Sequence, residues 1–369
     1  MSKTGRLALF EKPHQPLVLR EMPVPDPKPG AAVVRVTMAN ICGSDLHAWH
    51  GDFKLAGLGG KLPTVLGHEM TGRIVALGEG LTHDGNGERL HEGDLVVYTY
   101  FTGCGHCPSC LRGRRVACDH LSMAMTHSAL EWPYFVGGYA DYYYVEPGAT
   151  LYKVPEGLPE EVVAGANCAL SQVIAGFERA GLTFDETVVI QGAGGLGLYA
   201  TAVAKAFGAR LVIVIDAVAK RLEMARRFGA DATIDLTEQA EEKERVNSVK
   251  KLTDGRGVDV VMELVGRPEV IPEGIRMLGQ FGRYVTIGNI NAGLTYAADP
   301  SRLVMANKTL YGVSLYEHPV LGKALRFLQR NRDRLPLSEL LSTRFSLESI
   351  NEAFAKADAR EVVRASVVP

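Results

Sequence analysis

Long uninterrupted apolar runs are missing from this sequence. The most apolar region, Val188 to Ile215, is broken by a glycine-rich turn, by Lys205 and by Arg210, which argues against a membrane span and for strands with a buried helix. An excess of charge of either sign is missing too. Forty Lys and Arg stand against 42 Asp and Glu, a formal net charge of −2, with no long basic run, so nucleic acid has little electrostatic reason to bind. The first 30 residues hold no charged-then-apolar leader, so a reducing, cytoplasmic location is expected. Low-complexity segments and internal repeats are absent apart from a strand–helix rhythm in the second half.

What is present is a chain of 369 residues, 46% hydrophobic and 22% charged, long enough for two domains with separate cores. Up to about residue 165 short apolar runs alternate with Gly, Pro and Asp: Ala31 to Ala39, Gly72 to Leu77, Leu95 to Tyr100 and Tyr139 to Val145. That predicts a β-rich region, with the polar stretch Leu81 to Gly93 as a surface loop. From Glu186 the text reads TVVIQ, GLYATAVAKAF, RLVIVID, AKRLEMARRF, DATID, and further strands are expected at Val258 to Glu263 and Arg283 to Ile287. Such alternation predicts parallel strands with crossover helices. Gly208 and Gly229 follow two of those helices where a left-handed glycine ends a helix. The stretch from Glu317 to Pro369 contains amphipathic helical segments expected to pack back onto the first region.

The six cysteines divide into four and two. Cys104, Cys107, Cys110 and Cys118 form two Cys-x-x-Cys units sharing Cys107, with a fourth thiol in the same glycine- and arginine-rich loop. A closed loop of this spacing wraps four thiolates around Zn²⁺ and leaves no position for water, which predicts a structural zinc over two disulfides or four unrelated thiols.

Gly192, Gly194, Gly195, Leu196 and Gly197 lie in GAGGLG, directly after the strand TVVIQ and at the head of an apolar helix. In that context the first glycine makes the tight turn, the second admits a pyrophosphate to the backbone and the third packs helix on strand. Asp216 ends the next strand nineteen residues beyond Gly197, where a carboxylate accepts from ribose hydroxyls and repels a 2′-phosphate. NAD is therefore expected over NADP. Arg221 is a candidate for the same ribose, or a helix-surface arginine.

Cys42 lies in NICGSDLH, and His68-Glu69 follow in VLGHE. Thiolate, imidazole and carboxylate are all zinc ligands, but gaps this long do not show convergence; read alone, Cys42 and Cys168 are more often small buried residues and His68-Glu69 more often a surface pair.

The succession of CGSDLH, GHE, the four-cysteine loop and GAGGLG resembles the zinc-containing alcohol dehydrogenases of the medium-chain dehydrogenase/reductase superfamily, over nearly the whole chain. The resemblance implies an α/β protein: a GroES-like β-rich catalytic domain at 1–170 and 314–369 with both zinc sites, and a Rossmann domain with a doubly wound parallel sheet at 171–313. It implies two Zn²⁺ per chain and an active site in the cleft between the domains. Cys42, His68 and Cys168 would hold the catalytic zinc, with Glu69 an outer carboxylate or alternative ligand. Ser44 would hold the substrate oxygen, His47 would relay its proton, and Asp45 would orient the loop or the histidine. Zinc would then act as a Lewis acid on an alcohol while hydride passes to nicotinamide. Cys168 stands where the polyol branch carries glutamate, and Gly43 where some members carry an arginine for the pyrophosphate. A homodimer or homotetramer is likewise implied.

The substrate is less legible. Tyr100 and the loop aromatics Trp132, Tyr134 and Phe135 suit an apolar, secondary or cyclic alcohol, although each also reads as an ordinary packing residue. The alternatives are a polyol, sugar or amino-acid dehydrogenase of the same superfamily, and a non-catalytic zinc-binding protein on this scaffold.

Overall fold

The computed structural model describes residues 3–52, 60–340, 343–362 and 364–369. The chain divides into two compact units, Met1–Ser171 with Tyr316–Pro369, and Gln172–Leu315.

The first unit is built mainly on antiparallel strands, with Thr343–Ser346 parallel to Ala365–Val368. Its larger sheet runs Leu151–Lys153, Leu95–Tyr98, Glu69–Leu77, Ala32–Asn40, Ala365–Val368, Thr343–Ser346, and Tyr142–Val145 also pairs with Ala32–Asn40. A three-stranded sheet of Val18–Pro23, Thr4–Phe10 and Thr64–Val65 stands beside it. Residues Ala32, Val33, Val34, Val36, Met38 and Ala39 are all buried, so the central strand reads as a nearly continuous apolar run, as a strand covered on both faces must. Its last residues run straight into Cys42, which starts the helix Gly43–His50; Gly51, at φ 78°, closes that helix.

Three further devices set up the site. His68 immediately precedes the strand Glu69–Leu77. Cys168 sits in a π-helical turn, Ala166–Leu170, which continues into the helix Ser171–Ala180. Asn167 anchors that turn: its Oδ1 accepts from Met70 N–H at 3.2 Å and its Nδ2 donates to the Tyr98 carbonyl at 3.1 Å. The Tyr316 hydroxyl donates to the Asn167 carbonyl. A π turn leaves one carbonyl ladder out of register, and here the side chains of neighbouring strands hold it in place.

The second unit carries six parallel strands in the order Ala232–Asp235, Leu211–Asp216, Thr187–Gln191, Val258–Glu263, Leu278–Thr286, Thr309–Gly312. Numbered along the chain this is 3-2-1-4-5-6, so the connection reverses between the first and fourth strands, where a doubly wound sheet opens a crevice at its carboxyl ends. Helices Gly195–Ala206 and Ala219–Arg227 occupy the expected places, and Gly208 and Gly229 follow them at φ +92° and +104°. The strand read as Arg283 to Ile287 starts earlier, at Leu278, with Phe281 in the left-handed region. The helices Glu242–Leu252 and Val270–Met277 and the edge strand Thr309–Gly312 were not marked by the sequence pattern. No helix among the described residues is long and apolar enough to cross a membrane.

Candidate functional site

All six thiols are free. One ligand atom from each of Cys42, His68 and Cys168 can be chosen so that all lie within 4.8 Å of one another, and all three residues are buried. The strand-to-helix junction supplies Cys42, the residue before the next strand supplies His68 and the π turn supplies Cys168. Three segments distant in sequence therefore converge.

The surroundings orient these donors. His68 Nδ1 lies 3.4 Å from Asp45 Oδ1, while its Nε2 lies 3.2 Å from Ser44 Oγ. Asp45 is fully buried; its Oδ2 accepts from the Cys42 N–H at 3.0 Å and its Oδ1 from the Gly67 N–H at 3.1 Å. Burial opposes a charged imidazole, but the Asp45 carboxylate and the Cys42 thiol outweigh it and hold the His68 pKa well above its usual value. The hydrogen bond from Cys168 is the largest influence on Cys42 and draws its thiol well below the ordinary range against the effect of burial, while the same bond and burial push Cys168 up. Two soft thiol donors, an imidazole aimed by a carboxylate on its far nitrogen and a dry setting fit a zinc ion with three protein ligands and one open position.

Glu69 is fully buried and pairs with Arg364, whose Nη2 lies 3.0 Å from Glu69 Oε1. Burial raises the Glu69 carboxyl and the Arg364 cation offsets only part of that, leaving it at about 8. Tyr100 lines the site: its ring centroid is 5.0 Å from that of His68 and its hydroxyl is 4.0 Å from Cys168 Sγ. His47 lies one helical turn beyond Ser44, on the same face, with Nδ1 3.6 Å from Asp52. His50 is turned to Asp358 at 2.7 Å.

The loop aromatics go elsewhere. Trp132 packs edge-on against Tyr144 with Lys28 Nζ 3.8 Å from its centroid, and Phe135 is buried against Tyr142. Both therefore pack on the strand Tyr142–Val145, in keeping with the reading of them as ordinary packing residues, and Tyr100 is the aromatic that the structure brings to the thiols. Missing from the sequence reading were Arg364, Tyr139, Asn167 and Tyr316. Only Arg364 left a signal, as the one cation within the apolar stretch Val362–Val368.

The second cluster is local. Sulfurs of Cys104, Cys107, Cys110 and Cys118 lie within 4.8 Å of one another, with Cys107 and Cys118 at 3.8 Å. Backbone N–H groups of Cys104 and His120 point at Cys118 Sγ at 3.2 and 3.3 Å. The N–H of Cys110, and then that of Asp119, bring the Cys107 thiol down to about 6. Four clustered thiols, with backbone amides aimed at Cys107 and Cys118, fit a closed zinc site.

In the second unit Gly192 follows the first strand at φ +98°, and a Cβ on Gly197 would stand 1.9 Å from the Gly192 carbonyl, so helix and turn touch there. A Cβ on Gly194 would meet nothing within 4 Å. The backbone between Gly194 and Leu196, at the amino end of the helix Gly195–Ala206, is thus open to an anionic group. Asp216 Oδ2 accepts from Ala193 N–H at 2.7 Å and Oδ1 from Val218 N–H at 2.9 Å, tying the glycine turn to the second strand. Arg221 is in the first turn of the following helix.

Residues 28–156 match the model of the alcohol dehydrogenase GroES-like domain and residues 195–330 that of the zinc-binding dehydrogenases. The 5-exo-hydroxycamphor dehydrogenase of Pseudomonas putida is 35% identical over 345 residues, 93% of each chain. This chain belongs to the zinc-containing alcohol dehydrogenases of the medium-chain dehydrogenase/reductase superfamily. The family's breadth shows in other relatives. An erythritol/L-threitol dehydrogenase of Mycolicibacterium smegmatis is 32% identical over 362 residues, covering 95% of this chain and 94% of that one. The crystal structure of an alcohol dehydrogenase from Thermotoga maritima superposes with a TM-score of 0.93 at 30% identity over the full length of both chains. The GroES-like and Rossmann-type architecture of this alcohol dehydrogenase family is thus established here, and with it an oxidoreductase of that superfamily.

Proposed function

We propose that the protein oxidises an apolar secondary or cyclic alcohol reversibly, with NAD as hydride acceptor and two zinc ions per chain. The observation that carries this reading is the buried Cys42–His68–Cys168 triangle with Ser44 Oγ at its imidazole. When bound, zinc polarises the alcohol oxygen and NAD accepts the hydride. The chain's own residues do the rest. Ser44 holds the substrate hydroxyl, and His47, half-exposed one helical turn on, relays its proton towards solvent. Tyr100 walls the site with a mostly apolar ring. Gly194 to Gly197 receive the pyrophosphate, and Asp216 and Arg221 meet the ribose. Cys104, Cys107, Cys110 and Cys118 hold the second zinc and brace their loop.

The buried Tyr100 favours an apolar substrate, as does the likeness to a dehydrogenase named for a hydroxycamphor. The erythritol/L-threitol relative supports polyols as the second reading. The edge strand Thr309–Gly312, which among the described residues pairs only with Leu278–Thr286, supports pairing of two copies, with Val304 and Met305 exposed close to it in sequence. A panel of primary, secondary, cyclic and polyhydroxy alcohols with NAD and NADP, read at the NADH band, tests the proposal. The largest kcat/KM is expected for a cyclic secondary alcohol with NAD; a polyol optimum would select the second reading, and zinc retention without any turnover would leave a structural protein.

A further inference from the structure

We propose that Tyr139 is a positioning residue of the Cys42–His68–Cys168 site, acting through Asp45. The inference rests on the reading of that triangle as a zinc centre.

Asp45 is a buried carboxylate serving two ligand-bearing segments at once. The Cys42 N–H hangs from Oδ2, and the Gly67 N–H, one residue before His68, hangs from Oδ1. Any rotation of the carboxylate about its Cβ–Cγ bond therefore shifts a thiol and an imidazole together, along with the oxygen facing His68 Nδ1. Something outside the two segments has to fix that rotation. The Tyr139 hydroxyl donates to Asp45 Oδ2 at 2.8 Å and lies 3.3 Å from the Asn40 carbonyl, so it stands between two acceptors on the side of the ligand strand.

Tyr139 is itself immobile. It is fully buried, its ring meets Phe354 edge-on at 5.6 Å, and a Cβ placed on Gly67 would touch its Cδ1 and Cε1 at 3.0 Å. Gly67 stands at φ +90°, so the segment carrying His68 lies flat against the tyrosine ring with no side chain between. Ring and hydroxyl then act on the same segment by two routes, contact with Gly67 and the bond to Asp45. A carboxylate in a dry interior gains most from donors that are already oriented, and Tyr139, whose own N–H donates to the Leu66 carbonyl at 3.2 Å, brings such a donor to Asp45 from a third segment. Phe at 139 would keep the ring and the Gly67 contact and remove only the bond.

The test uses the full chain loaded with zinc, as parent, Tyr139→Phe and Cys42→Ala, with metal release followed by a chromophoric chelator and folding by thermal midpoint. Cys42→Ala identifies which zinc equivalent belongs to the triangle. In Tyr139→Phe that equivalent is expected to leave about tenfold faster, the size typical of a lost outer-sphere partner, while the four-cysteine equivalent leaves at the parental rate. Cobalt placed in the triangle should show displaced ligand-field bands in the variant. Release of both equivalents at parental rates would overturn the inference, as would acceleration of both together in step with a lowered midpoint, which would make Tyr139 a packing residue only. A Cys42→Ala chain holding as much zinc as the parent would instead overturn the zinc reading beneath it.

Discussion

Arg364 Nη2 reaches Glu69 Oε1 at 3.0 Å although 295 residues separate them, and neither side chain is more than 6% exposed. The pair lies beside the proposed metal ligands, since Glu69 follows His68 directly. Glu69 is also 3.4 Å from Asn40 Nδ2, and Asn40 is held by Ser366 Oγ at 2.7 Å. The carboxylate is thus steered from the C-terminal strand.

Removing the cation alone leaves Glu69 buried without its partner and lets its carboxyl, already held at about 8, rise further, so its cost is greatest at alkaline pH. Arg364→Leu is expected to cost about 3 kcal/mol in denaturant unfolding, whereas adding Glu69→Gln should recover much of that loss. If the single variant unfolds at the parental midpoint, the pair contributes nothing.

Metal stoichiometry separates the two clusters. Cys42→Ala or His68→Ala should each lose one zinc equivalent and abolish turnover with the fold kept. Cys110→Ala should lose the other equivalent and lower the unfolding midpoint more, because a closed site contributes folding energy directly. Elemental analysis of the purified variants decides it, and near-parental activity in His68→Ala would remove it from the ligand set.

His47 is expected to reveal itself in a pH profile. His47→Gln should keep both zinc equivalents while alcohol oxidation near neutral pH falls, on the order of a hundred-fold, and recovers as hydroxide replaces the relay. A profile parallel to the parent's would exclude the relay.

His318 supplies a pH dependence remote from the chemistry. Burial, with the Arg115 cation adding to it, takes its pKa down to about 4, and its Nδ1 lies 2.8 Å from Thr150 Oγ1. The unfolded chain takes up this proton near the ordinary histidine pKa and the folded chain only near 4. The contribution to stability is therefore whole above about pH 6.5 and is lost as pH falls through that window, on the order of 3 kcal/mol in all. His318→Gln should flatten the dependence of the denaturation midpoint between those limits; an equal slope in parent and variant would refute it.

Legibility followed distance along the chain. The four-cysteine loop and GAGGLG could be read directly because their ligands or turns fall within fifteen or so consecutive residues and local geometry alone brings them together. Cys42, His68 and Cys168 could not, since their meeting depends on the pairing of Ala32–Asn40 with Glu69–Leu77 and on a π turn that no periodicity announces. Trp132 and Phe135 stayed open between two readings because loop aromatics look alike whether they cap a strand or line a pocket. The helix Glu242–Leu252 escaped notice because it buries only Val246 and Val249 among many charges, too narrow a stripe to stand out.

The bond from Tyr316 to the Asn167 carbonyl has a bearing on the order of assembly. Asn167 is the neighbour of Cys168, and the residues from Gln172 to Leu315 form a unit of their own. On the ribosome, therefore, the turn that presents Cys168 emerges long before the residue that ties it down. The thiol's final setting waits until the whole of the second unit has been synthesised, so the first unit completes its three-residue cluster only after the second has left the exit tunnel.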